Sequence, residues 1–197
     1  MIEFKNISIL FDEKFVFENY SAEIETNQHV CFAGASGSGK STILKVIQAY
    51  VIPTKGEVYV NKMLLNSENV DAIRSFLAYI PQNINLPVDN CLDLVKMLGV
   101  EKKKELILSY FNNLGLEPVF FTRKFDQMSG GQKQRLIIAV CFSLERQIIL
   151  LDEPTASLDA ESAELVMALI KFMKNKTIVS ASHNPIWIDS ADKIINL

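Results

Sequence analysis

The chain has 197 residues, of which 49% are hydrophobic and 22% are charged. These values predict one globular domain with its own core, and they exclude a disordered tail or a small disulfide-stapled scaffold. The formal net charge of −3 lacks the basic surplus that favours binding to a nucleic-acid backbone. The apolar run over residues 136–144 is too short to cross a bilayer, and residues 1–10 lack the features of a secretory signal. We therefore expect the chain to reside in the cytosol.

The first part of the chain is predicted to begin with a small antiparallel sheet. Residues 2–24 alternate apolar and polar side chains over short stretches, as half-buried strands do. Residues 30–33 are wholly apolar and end at a glycine-rich loop, and residues 42–50 then place apolar side chains at helical spacing. Two further strands are predicted at residues 57–60 and 77–80.

The pattern changes between residues 83 and 128. Apolar residues recur at three- and four-residue intervals within residues 92–98 and 106–114, which predicts two helices. Gly115 is expected to end the second of them. We expect residues 83–128 to form a helical lobe.

The last part of the chain predicts a parallel α/β core. Short apolar runs at residues 148–151 and 177–181 suit strands that are covered on both faces, and an amphipathic helix at residues 165–173 separates them. His29 lies just before the earlier apolar run and is interpreted as a turn residue. The expected fold class is α/β, with a mainly parallel core sheet, a small N-terminal antiparallel sheet and a helical lobe.

A glycine-rich loop with a lysine and a serine follows the strand predicted at residues 30–33. It matches the pattern of glycine, four residues, glycine, lysine and serine that binds nucleoside triphosphates. Its glycines let successive backbone N–H groups face one centre, and Lys40 supplies a positive charge for the β- and γ-phosphates. Ser41 is suited to place its hydroxyl on Mg²⁺. The residues predicted to bind the nucleotide in this segment are Gly34, Ala35, Ser36, Gly37, Ser38, Gly39, Lys40, Ser41 and Thr42.

Two adjacent carboxylates follow the strand predicted at residues 148–151. Like charges at the end of a buried strand are costly, and Mg²⁺ held beside the phosphates would stabilise Asp152. Glu153 would then be free to accept a proton from the water that attacks the γ-phosphate, or to orient that water. Together with the glycine-rich loop, this pair is typical of a nucleoside triphosphate hydrolase.

One short segment narrows the possibilities further, namely Met128-Ser129-Gly130-Gly131-Gln132. Ser129 is suited to cap a helix that begins near Gly131, and the exposed N–H groups of that helix would form a second anion-binding position. The segment resembles the signature motif of ABC transporter ATP-binding subunits, with Met128 in place of the usual leucine. The resemblance covers essentially the whole chain and implies the P-loop NTPase fold of the ABC ATPase type. It also implies which residues of one subunit close on the ATP of another: Ser129, Gly130, Gly131 and Gln132.

The same resemblance implies roles for Gln82 and His183. Gln82 matches a glutamine that contacts Mg²⁺ or the attacking water where the helical lobe begins, so a hinge is expected there. His183 matches a switch histidine that contacts the γ-phosphate. The catalytic residues so predicted are Glu153, His183 and Gln82, and the predicted Mg²⁺ ligands are Ser41, Gln82 and Asp152.

Two positions have alternative interpretations. Asp159 matches the D-loop that crosses to the opposite subunit, and it is equally suited to cap the helix that follows. Phe11 stands where the family commonly has an aromatic residue that stacks on adenine. Its neighbours Phe15 and Phe17 are alternatives for that role, or for the core.

The resemblance implies an ATPase subunit that dimerises around two ATP molecules, with Mg²⁺, and moves separate membrane-spanning permease subunits. A homodimer is expected. Residues 1–197 would form a single domain, with a core lobe at residues 1–82 and 129–197 and a helical lobe at residues 83–128. Apolar positions within residues 88–98 are expected to contribute to the permease contact. The expected location is peripheral, on the cytoplasmic face of the cell membrane, and no nucleic-acid partner is expected.

Two other functional classes remain as alternatives. A soluble ABC-type ATPase of DNA repair, chromosome architecture or translation generally carries coiled coils, zinc insertions or a second cassette, and this sequence has none of them. An ordinary P-loop kinase or GTPase is the third class. The segment Asn61-Lys62-Met63-Leu64 begins like the guanine-reading motif but has Leu64 where that motif needs a carboxylate.

Overall fold

A computed structural model describes residues 1–197 as two β-sheets with seven α-helices. The strands are β1 (Ile2–Phe11), β2 (Lys14–Ile24), β3 (His29–Ala33), β4 (Lys55–Val60), β5 (Met63–Leu64), β6 (Leu77–Ile80), β7 (Ile148–Asp152), β8 (Thr177–Ser182) and β9 (Lys193–Asn196). The helices are α1 (Lys40–Ile47), α2 (Val70–Ser75), α3 (Cys91–Met97), α4 (Lys104–Asn113), α5 (Gly130–Ser143), α6 (Ala160–Phe172) and α7 (Pro185–Asp189). None of the helices combines the length and apolar character that crossing a membrane requires.

The first sheet is antiparallel, with its four strands in the order β2-β1-β4-β5. Ile2 of β1 lies opposite Ile24 of β2, and Ile9 lies opposite Phe17. These four side chains are buried. The alternation expected from the sequence at residues 2–24 is confirmed, since one face of β1 and β2 faces the core.

The second sheet is parallel, with five strands in the order β6-β7-β8-β3-β9. Every residue of β3, β7 and β8 is buried, as expected for strands covered on both faces. Because the strands run in one direction, their carboxyl ends meet at a single edge of the sheet. The loop after Ala33, the carboxylate of Asp152 and the segment after Ser182 therefore lie near one another.

Two apolar clusters cover the faces of the parallel sheet. One cluster joins the antiparallel sheet to it through the buried side of α1, where Ile43, Leu44 and Ile47 are inaccessible to solvent. The other cluster joins the opposite face to α3, α4, α5 and α6. The α/β fold class predicted from the sequence is confirmed.

The helices predicted between residues 83 and 128 are present as α3 and α4. Asn90 caps α3, since its side chain accepts a hydrogen bond of 2.9 Å from the backbone N–H of Asp93. After α4, Gly115 adopts a φ of 63°, a left-handed conformation that favours glycine at the end of a helix. Gly115 therefore ends α4 as predicted.

The interpretation of His29 as a turn residue is wrong. His29 is the first residue of β3 and only 5% of it is exposed. Its Nε2 lies 2.8 Å from Ser180 Oγ, and its ring meets the edge of Trp187 at a centroid distance of 5.5 Å. The reason is that β3 begins one residue earlier than its apolar run, so the imidazole enters the core.

We predict that Gly56→Ala destabilises the chain more than Gly99→Ala does. Both glycines have a left-handed φ, of 80° and 66°, which costs an alanine roughly 1–2 kcal/mol. A Cβ at Gly56 would also lie 2.4 Å from the carbonyl oxygens of Lys5 and Asn6, whereas a Cβ at Gly99 meets nothing within 4 Å. In urea unfolding, Gly56→Ala should lower the free energy of unfolding by about 3 kcal/mol and Gly99→Ala by about 1 kcal/mol. Equal losses would contradict the described contact between β4 and β1.

The buried imidazole also predicts a pH dependence of stability. Burial lowers the pKa of His29 from 6.5 to about 4, against smaller opposing effects of Asp192 and a backbone contact with Ser190. The unfolded chain therefore takes up a proton first, and stability falls as the pH falls from 6.5 through 4, by about 3 kcal/mol in total. Urea titrations of wild type and His29→Gln should show this loss in wild type only. A His183→Gln control keeps the buried imidazole and should keep the loss.

Candidate active site

The glycine-rich loop connects the carboxyl end of β3 to the first turn of α1. Gly39 is the N-cap of α1 with a φ of 99°, and no side chain caps this helix end. Its first N–H groups therefore stay available for an anion. A Cβ at Gly39 would lie 2.8 Å from atoms of both Val16 and Phe17, so β2 packs tightly against the loop.

The charged end of Lys40 is held inside the loop. Only 6% of this residue is exposed, and its Nζ donates hydrogen bonds of 2.9 Å to Gly34 O and 2.8 Å to Ala35 O. The same Nζ lies 4.0 Å from Glu153 Oε1. A buried ammonium group thus lies in the loop that precedes the uncapped start of α1, where a phosphate would find both charge and backbone donors.

Asp152 lies directly behind Ser41. Ser41 Oγ donates a hydrogen bond of 2.9 Å to Asp152 Oδ1, and the Tyr79 hydroxyl donates one of 3.3 Å to Asp152 Oδ2. Burial raises the pKa of Asp152, while the two hydrogen bonds partly oppose that shift. A buried carboxylate next to a hydroxyl is an all-oxygen donor set, which fits Mg²⁺. The chain has no group of three or more His, Cys, Asp or Glu side chains that could hold a metal, so phosphate oxygens would have to complete the coordination.

Glu153 occupies a strained position at the same edge. Its φ is 45°, which is unusual for a residue with a side chain. Its backbone N–H donates a hydrogen bond of 2.9 Å to Ala181 O of β8. Its Oε1 lies 2.8 Å from His183 Nδ1, and its Oε2 accepts a hydrogen bond of 3.4 Å from Ser182 Oγ. The neighbouring strand therefore fixes both the backbone and the carboxylate of this residue.

A cleft of about 300 Å³ opens in front of these groups. Its wall brings together predicted site residues from four separate segments of the chain: Ser36, Gly37, Gly39, Lys40, Ser41, Thr42, Gln82, Glu153 and His183. The carbonyl oxygens of Gly34 and Ala35 accept hydrogen bonds from Lys40, and Asp152 accepts one from Ser41. The geometry of the cleft suits an extended polyanion with a hydrolytic water near Glu153.

The aromatic residues near the cleft are arranged differently from the expectation. Val16 lines the cleft, while Phe11 does not. Phe17 is a core residue, whereas Phe11 and Phe15 are about half exposed, at 45% and 47%. The assignment of Phe11 to the adenine ring stays a prediction, and Phe15 stays an alternative.

Three contacting side chains were not foreseen from the sequence, namely Val16, Tyr79 and Ser182. Tyr79 lies within the strand predicted at residues 77–80, and Ser182 directly precedes His183. The sequence offered a signal only for Tyr79 and Ser182, which lie shortly before Gln82 and His183, since the pairing of the strands cannot be derived from the sequence.

The signature segment begins α5 and lies outside the cleft wall. Ser129 Oγ accepts a hydrogen bond from Gln132 N at 3.2 Å, and Gln132 Oε1 accepts one from Ser129 N at 3.0 Å, which forms a capping box. A Cβ at Gly131 would lie 3.0 Å from Ser157 O, so this helix end packs against the segment at Ser157. No residue of the signature lines the cleft of its own chain.

Asp159 caps α6. Its Oδ1 accepts a hydrogen bond of 2.8 Å from Ser162 N, and hydrogen bonding with the side chain and the backbone of Ser162 lowers the pKa of the Asp159 carboxyl. The capping interpretation of Asp159 is therefore what the structure shows, while its role at a second subunit stays a prediction.

Comparison with known proteins decides the family. A family model described as ABC transporter matches residues 17–156. The chain belongs to the ABC transporter family. The family resemblance inferred from the signature segment is thereby confirmed, and the chain is an ATP-binding and ATP-hydrolysing cassette of this family. A soluble ATPase outside transport is not favoured.

Relatives of this ABC cassette are single cassettes as well as longer proteins. It is 31% identical to the energy-coupling factor transporter ATP-binding protein EcfA1 of Mycoplasmopsis synoviae, over 93% of this chain and 74% of that protein. It is 32% identical to the ATP-dependent permease MDL1 of Candida albicans, over 98% of this chain but only 31% of that protein. The solved structure of the dimeric post-hydrolysis state of the ATP-binding cassette MJ0796, bound to ADP and Pi, matches with a TM-score of 0.89 and 30% identity. That match covers 100% of this chain and 94% of that one. The chain therefore spans about a third of one relative and most of the others.

We predict that Lys40→Ala weakens nucleotide binding while Lys45→Ala does not. The Lys40 ammonium group is buried in the loop, whereas Lys45 is exposed on the same helix. Loss of charge-assisted hydrogen bonds to a phosphate should lower the affinity about 10- to 100-fold. Titration with a fluorescent ATP analogue measures both variants, and an unchanged affinity of Lys40→Ala would contradict the described site.

Proposed function

We propose that this chain binds ATP with Mg²⁺ in the cleft, closes against a second copy around two ATP molecules, and drives separate permease subunits. The observation that carries the proposal is the convergence of Lys40, Gln82, Glu153 and His183 on one cleft, while the signature helix end faces elsewhere. One chain thus holds two complementary halves of a nucleotide site.

The first step is binding of the triphosphate. The N–H groups at the start of α1 and the Lys40 Nζ would donate to the β- and γ-phosphates, so the ammonium group would leave its bonds to Gly34 O and Ala35 O. Ser41, Asp152 and Gln82 would hold Mg²⁺, which neutralises charge that develops on the phosphate oxygens when it is bound. Tyr79 would keep Asp152 oriented through the hydrogen bond to Oδ2.

The second step is hydrolysis. The oxygen of a water molecule attacks the γ-phosphorus, and its proton passes to the Glu153 carboxylate as the bond to the bridging oxygen of ADP breaks. His183 pairs with Glu153 through Nδ1 at 2.8 Å and thereby keeps the carboxylate facing the cleft. Gln82, in the cleft wall, would orient the same water. The products are ADP and inorganic phosphate.

Closure of a dimer would complete each site. The capping box leaves the first N–H groups of α5 at the surface, and Gly130 and Gly131 carry no side chains that would keep a phosphate away. Because the signature does not line its own cleft, it can contact a γ-phosphate only in another copy. The dimeric structure of the related cassette MJ0796 supports this arrangement. A homodimer is the simplest form of the pair.

The helical lobe at residues 83–128 would transmit closure to permease subunits, with the rest of the chain acting as the core lobe. Gln82 lies between β6 and the start of this lobe, where a hinge would act on both. Within residues 88–98, Met97 is 52% exposed. The names of the relatives, an energy-coupling factor transporter ATP-binding protein and an ATP-dependent permease, support a membrane partner. The cassette would then lie peripherally on the cytoplasmic face of the membrane.

We predict that Glu153→Gln separates ATP binding from hydrolysis. The amide cannot accept the proton of the attacking water, so the rate of hydrolysis should fall by about 10²- to 10⁴-fold. ATP should then hold the pair closed, and a dimer should accumulate. Phosphate release measures the first effect, and size-exclusion chromatography with light scattering in Mg-ATP measures the second.

The exposed Glu105 provides a matched control for this experiment. Glu105→Gln should hydrolyse ATP at the wild-type rate and show no accumulation of dimer. Hydrolysis by Glu153→Gln at full rate would refute the role of this carboxylate. A Glu153→Gln chain that binds ATP yet stays monomeric at all concentrations would refute closure around the nucleotide.

A further inference from the structure

A second cavity lies at the opposite edge of the parallel sheet from the phosphate loop. It has a volume of about 400 Å³ and lies at the amino ends of β3 and β8, beside the end of α6. Its wall includes the turn before His29 and the segment from Ser190 to Asp192. None of these residues takes part in the proposed ATP chemistry, so the cavity needs its own explanation.

The wall of this cavity carries an excess of unpaired positive charge. Lys171, Lys174 and Lys176 line it, and none of the three forms an ion pair. Burial lowers the pKa of Lys176, an effect to which the nearby Lys103 adds and which Glu145 partly opposes. In a chain with a net charge of −3, a group of three free ammonium ions around one cavity favours an anionic ligand.

The carboxylates near the cavity are already engaged. Asp192 Oδ2 accepts a hydrogen bond of 2.7 Å from the backbone N–H of His29. Glu145 pairs with Lys103 at 2.7 Å. Neither carboxylate forms an ion pair with the three lysines, so their charge is left for another partner.

His29, which lines the cavity, has a buried ring nitrogen that makes no well-formed hydrogen bond. Trp187 Nε1 donates a hydrogen bond of 3.0 Å to Ser180 Oγ. The Ser180 hydroxyl has two acceptors within reach, His29 Nε2 at 2.8 Å and Val30 O at 3.5 Å, and we assign its hydrogen to the nearer one, His29 Nε2. This arrangement leaves the hydrogen of the neutral imidazole on Nδ1. That nitrogen is buried and makes no well-formed hydrogen bond, although the ring also has a backbone contact with Ser190. A buried donor with a poor acceptor is costly, and a better acceptor brought in by a ligand would relieve that cost.

The remaining wall is apolar. Ile170, Met173 and Ile178 line the cavity together with the polar groups. A bare inorganic ion would leave this surface in contact with water, whereas an organic anion would cover it. The volume is within the range of small-molecule sites.

We propose that this cavity is a binding site for a small organic anion, whose phosphate or carboxylate group lies among Lys171, Lys174 and Lys176. The site is separate from the ATP cleft. Because β3 leads into the phosphate loop and β8 leads into His183, the ligand would contact the amino ends of two of the strands that carry the ATP site.

The test uses calorimetric titration of the full chain with citrate and, separately, with glycerol 3-phosphate. At least one probe should bind saturably to wild type with a dissociation constant below about 1 mM. Lys171→Ala/Lys174→Ala should weaken that binding at least tenfold. The exposed pair Lys55→Ala/Lys102→Ala is the matched control and should bind as wild type does. Binding of citrate would indicate a carboxylate ligand, and binding of glycerol 3-phosphate would indicate a phosphate ligand.

Two further measurements test where on the chain the probe binds. Lys40→Ala should retain binding of the probe, and the ¹⁵N resonances of the His29 ring should shift on titration. The proposal is overturned if neither probe binds at a concentration ten times the expected dissociation constant. It is also overturned if both double variants lose binding equally, or if Lys40→Ala abolishes binding of the probe. The last outcome would place the probe in the phosphate loop, and it would leave the proposed ATP chemistry intact.

Discussion

The parallel register of β7, β8 and β3 is the constraint on which the site depends. Each strand is fully buried and uncharged until its carboxyl end, where the site groups appear: Asp152 at the end of β7 and Glu153 after it, His183 after β8, and the phosphate loop after β3. Burial makes isolated charges there unfavourable. They are tolerated because the sheet holds opposite charges and donors within a few ångströms of one another.

The balance of these charges explains the resting contacts of the cleft. Lys40 is satisfied by two carbonyl oxygens of its own loop, Asp152 by two hydroxyl groups, and Glu153 by His183 and Ser182. None of these hydrogen bonds involves a backbone pair of the sheet. In the proposed binding step, a triphosphate would therefore exchange side-chain partners, while the backbone hydrogen bonds between the strands would stay in place.

Local patterns in the sequence predicted most of the strands and helices and the motifs, but not α2, α7, β5 or β9. Hydrophobic periodicity identified the buried strands, and the glycine-rich loop carries its function in a few consecutive residues. Contacts between distant segments could not be derived in this way. The partner of His29, Ser180, lies 151 positions away, and the contact of Tyr79 with Asp152 depends on the register of two paired strands. The start of β3 one residue before its apolar run was enough to reverse the interpretation of His29.

The capping box at the start of α5 has a consequence where intact and defective copies of the chain are present together. In the proposed dimer, its exposed N–H groups and the cleft belong to different halves of a site, so a damaged signature in one copy would impair hydrolysis of the ATP bound by its neighbour. In random assembly of equal amounts of intact and signature-damaged chains, only about a quarter of all dimers would have two intact sites. A defective copy of such a protein would therefore act as a dominant inhibitor, even though its own phosphate loop is sound.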